Sequence, residues 1–283
     1  MSVIYSGGTV NEKEYEGGIS GNYNAPMNKN FDLIDGWCKC NLESPPYLFP
    51  DDKLEIVNSH ASIYLTFDDY IMSSAFGESS DTKLHIGLLP LPYVGNLAQA
   101  SIFILMLNPG LSPGDYFAEQ HNREFREAHI RNLRQENASD DYPFFCLDPR
   151  FSWHPGFGYW QKKFHIIIEA LSKQSKKTYQ QAMCQLAQSL AGLELLPYHS
   201  KSFGAGSLLH SLPSTQAMLA FVHEILLPKV EDDRAIIIAT RGGKNWQLPK
   251  HKNIIVYEGS ETRSAYLTLN TRGGNTIASH LGL

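Results

Sequence analysis

The feature that most constrains the fold is a set of short apolar segments, each closed by a polar or glycine-rich turn. Residues 102–107 are apolar at every position, and Asn108, Pro109 and Gly110 follow directly. A run of this length indicates a strand that is buried on both faces, as in a parallel sheet. Shorter segments of the same kind occupy 193–196, 235–239 and 253–257. Together these segments predict a central four-stranded parallel sheet.

Helical patterns alternate with these strands. Apolar residues recur at helical spacing over 115–136, 158–171, 178–190 and 214–230, where Ser214 is a candidate cap. Strands that alternate with helices predict an α/β fold in which helices cover both faces of the sheet, a three-layer sandwich. The carboxyl ends of parallel strands lie at one edge of a sheet, so the turns should converge on one cleft.

The N-terminal part of the chain has a different character. The first thirty residues are rich in Gly, Asn and Ser and are expected to be irregular. A short helix is expected over 30–40, and partial alternation over 54–67 predicts a strand or hairpin. We therefore expect residues 1–84 to form an extension packed on the core and residues 85–283 to form the α/β domain.

Composition narrows the class of protein. The net charge of −5 is mild evidence against a dedicated nucleic-acid binder. Basic residues nevertheless cluster over 123–134 and 162–177, either as a basic face or as solvated helix surfaces. With neither a bilayer-length apolar run nor a secretory signal, we expect a cytoplasmic protein with no membrane contact and no obligate protein partner. The four cysteines are expected to be free thiols, although an iron–sulfur cluster is conceivable.

Asn108 is the first candidate for chemistry. Two prolines and two glycines within 108–116 predict a tight, rigid loop that holds this side chain in place. A fixed Asn can orient a water through its amide oxygen, or it can simply cap the turn. The histidines lack the spacing of a zinc site, so no metal or other cofactor is expected. His154 is expected to pack in its loop.

An apolar core strand that ends in Asn-Pro-Gly resembles the first catalytic motif of the uracil-DNA glycosylase superfamily, particularly its mismatch-specific branch. The resemblance covers roughly residues 85–270. It implies a uracil-DNA glycosylase-like fold without a cofactor, in which Asn108 holds the water that attacks the sugar. It also implies contacts to a flipped base from Pro109, Gly110 and Tyr116.

Two further segments are similar to that superfamily in order. Phe144 and Phe145 fall where an aromatic ring stacks on the flipped base, although either ring can be a core residue. His199 and Ser200 follow the second core strand, where the superfamily recognises the base. His199 would then be catalytic by stabilising the leaving base, or else it is a structural residue of the turn.

The last turn departs from the superfamily. Residues 258–264 occupy the place of a His-Pro-Ser type of motif and lack its histidine. Candidate phosphate contacts there are Ser260 and Arg263, and the turn after the third strand adds Arg241, Gly242 and Lys244. The missing histidine suggests a base other than plain uracil, as in divergent relatives that remove modified bases from phage DNA in antiviral defence.

The sequence therefore predicts a monofunctional DNA glycosylase that removes a flipped, modified pyrimidine and leaves an abasic site. Two alternatives remain at this point. One is a non-catalytic module that binds nucleotides or modified DNA, and the other is a hydrolase that acts on free nucleosides.

Overall fold

A computed structural model of the chain describes residues 33–59, 64–78 and 80–283, which belong to one compact unit. The irregular conformation expected for the first thirty residues lies outside these ranges, as do residues 60–63 of the segment 54–67. The described part is an α/β fold, as predicted. None of its helices combines the length and the apolar character that crossing a bilayer requires.

The described strands form one sheet in the order β1-β3-β2-β4-β5. They are β1 (Tyr93–Val94), β2 (Ile102–Met106), β3 (Leu190–Glu194), β4 (Ile236–Ala239) and β5 (Ile254–Val256). β2 pairs in parallel with β3 on one side and with β4 on the other, and β5 extends the parallel ladder beyond β4. After β3 the chain therefore crosses β2 to reach β4, which makes the carboxyl end of β2 the point where the strand order reverses.

The described helices alternate with these strands. In chain order they are α1 (Leu33–Cys38), α2 (Lys53–Ser59), α3 (Phe67–Ile71), α4 (Pro113–His121), α5 (Arg123–Leu133), α6 (Pro155–Ser175), α7 (Tyr179–Ser189), α8 (Pro213–Ala220), α9 (Leu227–Glu231), α10 (Ser260–Ser264) and α11 (Arg272–His280). Short 3₁₀ turns occur at Phe145–Leu147, Pro149–Phe151, Gly206–Leu208 and Gly243–Trp246.

Successive residues of β2 contribute to two hydrophobic cores. Phe103 and Leu105 belong to a core that includes residues of α1, α8 and α9. Ile102 and Ile104 belong to a second core with residues of α6, α7 and α11. The two sets of residues point to opposite faces of the sheet because side chains alternate along a strand. Apolar surface on both faces explains why every residue of β2 is buried.

The sheet is mixed, which corrects the expectation of a purely parallel one. β1 pairs antiparallel with β3, with Tyr93 opposite Leu193. A strand of only two residues has no periodicity that the sequence could reveal. The second core strand also begins earlier than predicted, because α7 ends at Ser189 and β3 starts at the next residue.

Two of the predicted helices are interrupted. The segment 115–136 contains α4 and α5, which are separated at Asn122, whose side chain accepts the Phe125 N–H and so starts α5. The segment 214–230 contains α8, a π turn at Phe221–Leu226, and α9 with Pro228 in its first turn. Proline lacks the amide donor of a regular helix, which accounts for the change of hydrogen bonding ahead of it.

The strand or hairpin expected over 54–67 is wrong within the described residues, where 54–59 belong to α2 and Phe67 begins α3. Leu54 is 76% exposed whereas Ile56 is fully buried, so one apolar position of the pattern faces solvent.

Ser214 does not cap α8 with its side chain. Its N–H instead donates to the buried carboxyl of Asp52, at 2.9 Å. Tyr198 donates to the other oxygen of Asp52 at 2.5 Å. This carboxyl therefore joins the N-terminal segment to the turn after β3 and to α8.

Candidate functional site

A cavity of about 570 Å³ lies beyond the carboxyl ends of the parallel strands. Asn108 follows β2, Glu194 ends β3 and Arg241 follows β4, and all three line the cavity. Residues at the starts of α4 and α6 complete the wall. Ligands of open α/β sheets bind at this place, where the strand order reverses. The convergence of turns that the sequence predicted is thus observed for three of the four parallel strands.

Backbone bonds hold the turn after β2 against the turn after β3. The Leu196 N–H donates to Leu107 O at 2.8 Å, and the Ser200 N–H donates to Pro109 O at 3.2 Å. Pro109 is buried, whereas Gly110 is exposed at the rim of the cavity. A segment about ninety residues away therefore holds this loop by backbone hydrogen bonds, which the sequence did not indicate.

Asn108 is oriented by two hydrogen bonds from its amide nitrogen. Nδ2 donates to Ser200 Oγ at 2.8 Å and to Pro109 O at 3.0 Å. A carbonyl oxygen can only accept, so the contact with Pro109 O identifies which end of the amide is the nitrogen. Both of these bonds use Nδ2, which leaves Oδ1 to accept a hydrogen bond from a water or a substrate.

His199 lies beside this turn with a defined tautomer. Its Nδ1 is 2.7 Å from Gly110 O, so Nδ1 carries the proton and donates. Nε2 is buried and has no hydrogen-bond partner among the described residues. In the neutral ring Nε2 can only accept, so the expected stabilisation of a leaving base requires a second proton on this ring.

Asp115 is a wall residue that the sequence interpretation placed only in a helix. It lies in the first turn of α4, where its Oδ2 accepts the Ser112 N–H at 2.6 Å. Its Oδ1 lies 3.2 Å from His154 Nε2, in ion-pair rather than ideal hydrogen-bond geometry. Burial raises the pKa of this carboxyl, but His154 and the charge of a protonated His199 outweigh burial and hold the pKa below its usual range. His154 is therefore more than a packing residue of its loop.

Glu194 is the second carboxyl of the wall and has the opposite character. It is only 6% exposed, and Oε2 has no hydrogen-bond partner among the described residues. Burial raises the pKa of Glu194 well above its usual value, although the positive charge of Arg241 acts in the opposite direction. The cavity thus contains one carboxyl whose surroundings lower its pKa and another whose burial raises it, a contrast that enzymes use to separate base and acid roles.

A third acidic group, Glu119, faces His129 in the same wall. Glu119 Oε2 accepts the Leu89 N–H at 2.9 Å, and His129 Nε2 donates to Pro90 O at 3.1 Å. The remaining atoms of the pair, Oε1 and Nδ1, lie 3.4 Å apart. This pair fastens the 85–91 segment to α4 and α5. In the described residues, no three His, Cys, Asp or Glu side chains converge as metal ligands would.

The structure separates the aromatic candidates. Phe145 lines the cavity and packs against Phe125, with ring centroids 5.6 Å apart. Phe144 is fully buried and lies edge-on to Trp160 behind the wall. Tyr116 is also fully buried, and its hydroxyl lies 3.1 Å from His85 Nδ1, away from the cavity. Of the predicted aromatic contacts, only Phe145 is placed to meet a ligand.

The phosphate candidates separate in the same way. Arg241 is exposed and lines the cavity, and Lys201 joins it at the rim although the sequence did not single it out. The others lie outside the wall. Gly242 adopts a left-handed backbone before the Gly243–Trp246 turn, which contains Lys244, and Ser260 and Arg263 belong to α10.

Two missed residues differ in how the sequence could have revealed them. Glu194 is the only charged residue within the apolar segment 190–196, a signal that a polar group sits at the end of a strand. Asp115 has no such signal, because a carboxylate in the first turn of a helix is an ordinary cap. Cys40, Cys146 and Cys184 are free thiols, and Cys146 lines the cavity.

Comparisons with family models, with curated proteins and with solved structures yield no match. The function is therefore inferred from the geometry of the cavity.

Proposed function

We propose that the protein is a cytoplasmic DNA glycosylase that hydrolyses the N-glycosidic bond of a flipped, modified pyrimidine and leaves an abasic site. In this proposal the fold is a three-layer sandwich of the uracil-DNA glycosylase type, and the substrate is foreign DNA such as that of a phage. The observation that carries the proposal is Asn108, whose amide nitrogen is held by Ser200 and Pro109 while Oδ1 remains to orient a water in the cavity.

The oriented water is the nucleophile of the reaction. It would attack C1′ of the sugar as the bond to the base breaks, and a fixed acceptor that aligns it reduces the entropic cost of that step. The sugar carries positive charge in the transition state and the base carries negative charge. Catalysis then depends on groups placed to face each of these charges.

Glu194 supports the base side of this reaction. A neutral carboxyl donates a hydrogen bond through its O–H and accepts one through its carbonyl oxygen. Such a group can pair with the edge of a base and stabilise negative charge as the base leaves. Because burial raises its pKa, Glu194 keeps its proton where an exposed glutamate would lose it. This role replaces the donor role expected of His199, whose tautomer presents an acceptor.

The size and lining of the cavity support a base as the ligand. Its volume of about 570 Å³ lies within the usual range for small-molecule sites. Phe145, Tyr159 and Trp160 line it together with the polar groups already described. Aromatic walls suit a base that has lost its stacking neighbours on leaving the duplex.

Two cations at the rim support DNA as the substrate. Arg241 and Lys201 are exposed and line the cavity, where they can meet the phosphates that flank a flipped nucleotide. The net charge of −5 favours a second candidate function, hydrolysis of free nucleosides. Affinity for DNA that falls steeply with added salt would support the first, and salt-independent affinity would support the second.

The test uses DNA strands that carry uracil, mismatches or phage-type modified cytosines, followed by alkaline cleavage at abasic sites. We expect the wild-type protein to cleave at least one modified strand and Asn108→Ala to be at least about 100-fold slower. Asn275→Ala is the matched control, since Asn275 is exposed on α11. A wild-type protein that is folded but inactive on every strand contradicts the enzymatic proposal. An Asn108→Ala variant that loses only binding favours the non-catalytic module.

A further inference from the structure

We propose that Asp115 is a second catalytic group of this site and that His154 is the residue that positions it. The inference rests on the proposed glycosidic hydrolysis and names the group that faces the sugar. Asp115 lines the cavity, and its side chain is 17% exposed, so the carboxylate can reach a ligand while remaining largely shielded from solvent.

Both oxygens of Asp115 are held in place. Oδ2 accepts the Ser112 N–H at 2.6 Å, and Ser112 Oγ in turn accepts the Gly114 N–H at 3.2 Å. Oδ1 lies 3.2 Å from His154 Nε2. A carboxylate that served only to cap α4 would need the Ser112 contact alone. The buried imidazole of His154 beside Oδ1 is a contact that capping of the helix does not require.

A hydrogen bond at the start of α6 determines which ring nitrogen of His154 carries the proton. His154 is the cap residue of α6, and its Nδ1 accepts the Gly156 N–H at 3.1 Å. A nitrogen that accepts has no proton in the neutral ring, so the proton is on Nε2, which faces Asp115. The ring is 7% exposed and packs on Phe125 with centroids 4.4 Å apart, which prevents it from turning.

The surroundings of Asp115 favour its charged form. Burial raises its pKa, but His154, His199 and the Ser112 N–H together hold the pKa below the usual value. The titratable groups near this carboxyl include His85, His154, His199, Cys146, Tyr70 and Tyr116. Glu119 lines the same cavity one turn further along α4. Its carboxylate faces His129 and accepts the Leu89 N–H.

This charge complements the reaction. As the C1′–N bond breaks, its electron pair leaves with the base and positive charge develops on the sugar. The water held by Asn108 forms the new C1′–O bond and gives up a proton, which Asp115 accepts and later returns to solvent. A carboxylate fixed beside the cavity before the reaction begins stabilises that positive charge with little reorganisation.

The first experiment measures binding of a single-stranded oligonucleotide that carries a protonated pyrrolidine analogue of deoxyribose. This probe presents the positive charge of the sugar and has no base, so the result does not depend on which base the protein removes. We expect Asp115→Asn to weaken its binding at least about 10-fold. Asp141→Asn is the matched control, since Asp141 is exposed outside the cavity and its replacement removes the same charge with little effect on binding. Equal affinity for the wild type and Asp115→Asn, including no binding by either, overturns the proposal.

The second experiment separates positioning from folding with His154→Asn. Asparagine is a good cap, so α6 keeps its start, but the imidazole that faces Asp115 is lost. We expect the pKa of Asp115, measured by carbon NMR of its carboxyl in the full chain, to rise in this variant. The acid limb of the kcat/KM profile on an active strand should move to higher pH in parallel. A loss of thermal stability with no change in that pKa would show a structural role only.

The outcomes also distinguish this inference from the proposed function. Binding of the cationic probe that depends on Asp115, in a protein inactive on every DNA strand, supports Asp115 and contradicts the proposed substrates. Cleavage that requires Asn108 and is unchanged in Asp115→Asn supports the glycosylase and contradicts Asp115.

Discussion

Replacing Glu194 with Gln tests whether the buried carboxyl of the cavity has a raised pKa in the folded protein. The amide has nearly the shape of the protonated carboxyl and keeps a donor and an acceptor, so the substitution mainly removes the ability to ionise. Glu194 is 6% exposed, and burial raises its pKa well above the usual value of 4.5. In the unfolded chain the same group ionises near that usual value.

The magnitude follows from proton linkage. A carboxyl whose folded pKa is raised contributes its full stability below the unfolded pKa and loses it as the pH rises towards the folded pKa. Between these two values, unfolding releases one proton, so the free energy of unfolding falls by about 1.4 kcal/mol per pH unit. Glu194→Gln lacks this dependence. Its stability relative to the wild type should therefore increase by about 1.4 kcal/mol for each pH unit above 4.5 within that window.

The assay is urea unfolding of both proteins at several pH values, with the slope of the transition checked for constancy. The matched control is Glu136→Gln, because Glu136 is exposed after α5 and its replacement should give a curve parallel to the wild type. Parallel curves for the wild type and Glu194→Gln would refute the reasoning, since they would show that Glu194 titrates alike in the folded and unfolded states.

The same variant carries an expectation for activity. Glu194→Gln should retain much of the wild-type rate near neutral pH, because it still donates to the base. It should also lose the decline at high pH that ionisation of Glu194 causes in the wild type. A variant that is inactive at every pH would show that the reaction needs the proton itself and that a hydrogen-bond donor is not enough.

Other positions give independent tests. Tyr198→Phe removes a hydroxyl that donates to the buried carboxyl of Asp52 and accepts the Phe49 N–H. It should lower the free energy of unfolding by about 2–3 kcal/mol, against about 1 kcal/mol for Tyr93→Phe, whose hydroxyl donates to a neutral carbonyl. Urea unfolding of the two variants compares them, and equal losses would contradict a special role of the carboxyl. Gly95→Ala should lower the free energy of unfolding by about 3 kcal/mol or more, because φ is +103° and the new Cβ would lie 2.3 Å from a β3 backbone oxygen. A melting temperature close to that of the wild type would contradict this loss of stability. Burial lowers the pKa of Lys163 to about 8. Between about pH 8 and 10.5 only the unfolded chain still binds the proton of this side chain, so the free energy of unfolding of the wild type should rise with pH relative to that of Lys163→Met. A stability difference that stays constant over this pH range would contradict that pKa.

The strands were predictable because their signal is local. An apolar run such as 102–107 specifies burial on both faces whatever the rest of the chain does. The antiparallel partner of β3 was not predictable, since Tyr93–Val94 is too short to show a pattern. The break between α4 and α5 was missed for another reason. Asn122 fits a helix by composition, and only its bond to the Phe125 N–H makes it a cap.

The candidate site divides along the same line. Asn108 and Ser200 were identified from the turns in which they lie, and the structure brings them within 2.8 Å of each other. Tyr116 and Phe144 have the right chemistry and lie near the right turns, but their side chains point into the protein interior. Which face a side chain takes depends on packing against distant segments, so sequence position alone could not separate Phe144 from Phe145.

The sequence by itself determined that strands end in polar turns and that these turns share one edge of a sheet. The order of apolar runs and turn residues is enough for that, because each strand and turn is favoured locally. Only the tertiary structure decided what the carboxyls at that edge do. Asp115 and Glu194 are both ordinary acidic residues in the sequence. Asp115 lies against His154, the cap residue of α6, in surroundings that lower its pKa, whereas burial raises the pKa of Glu194.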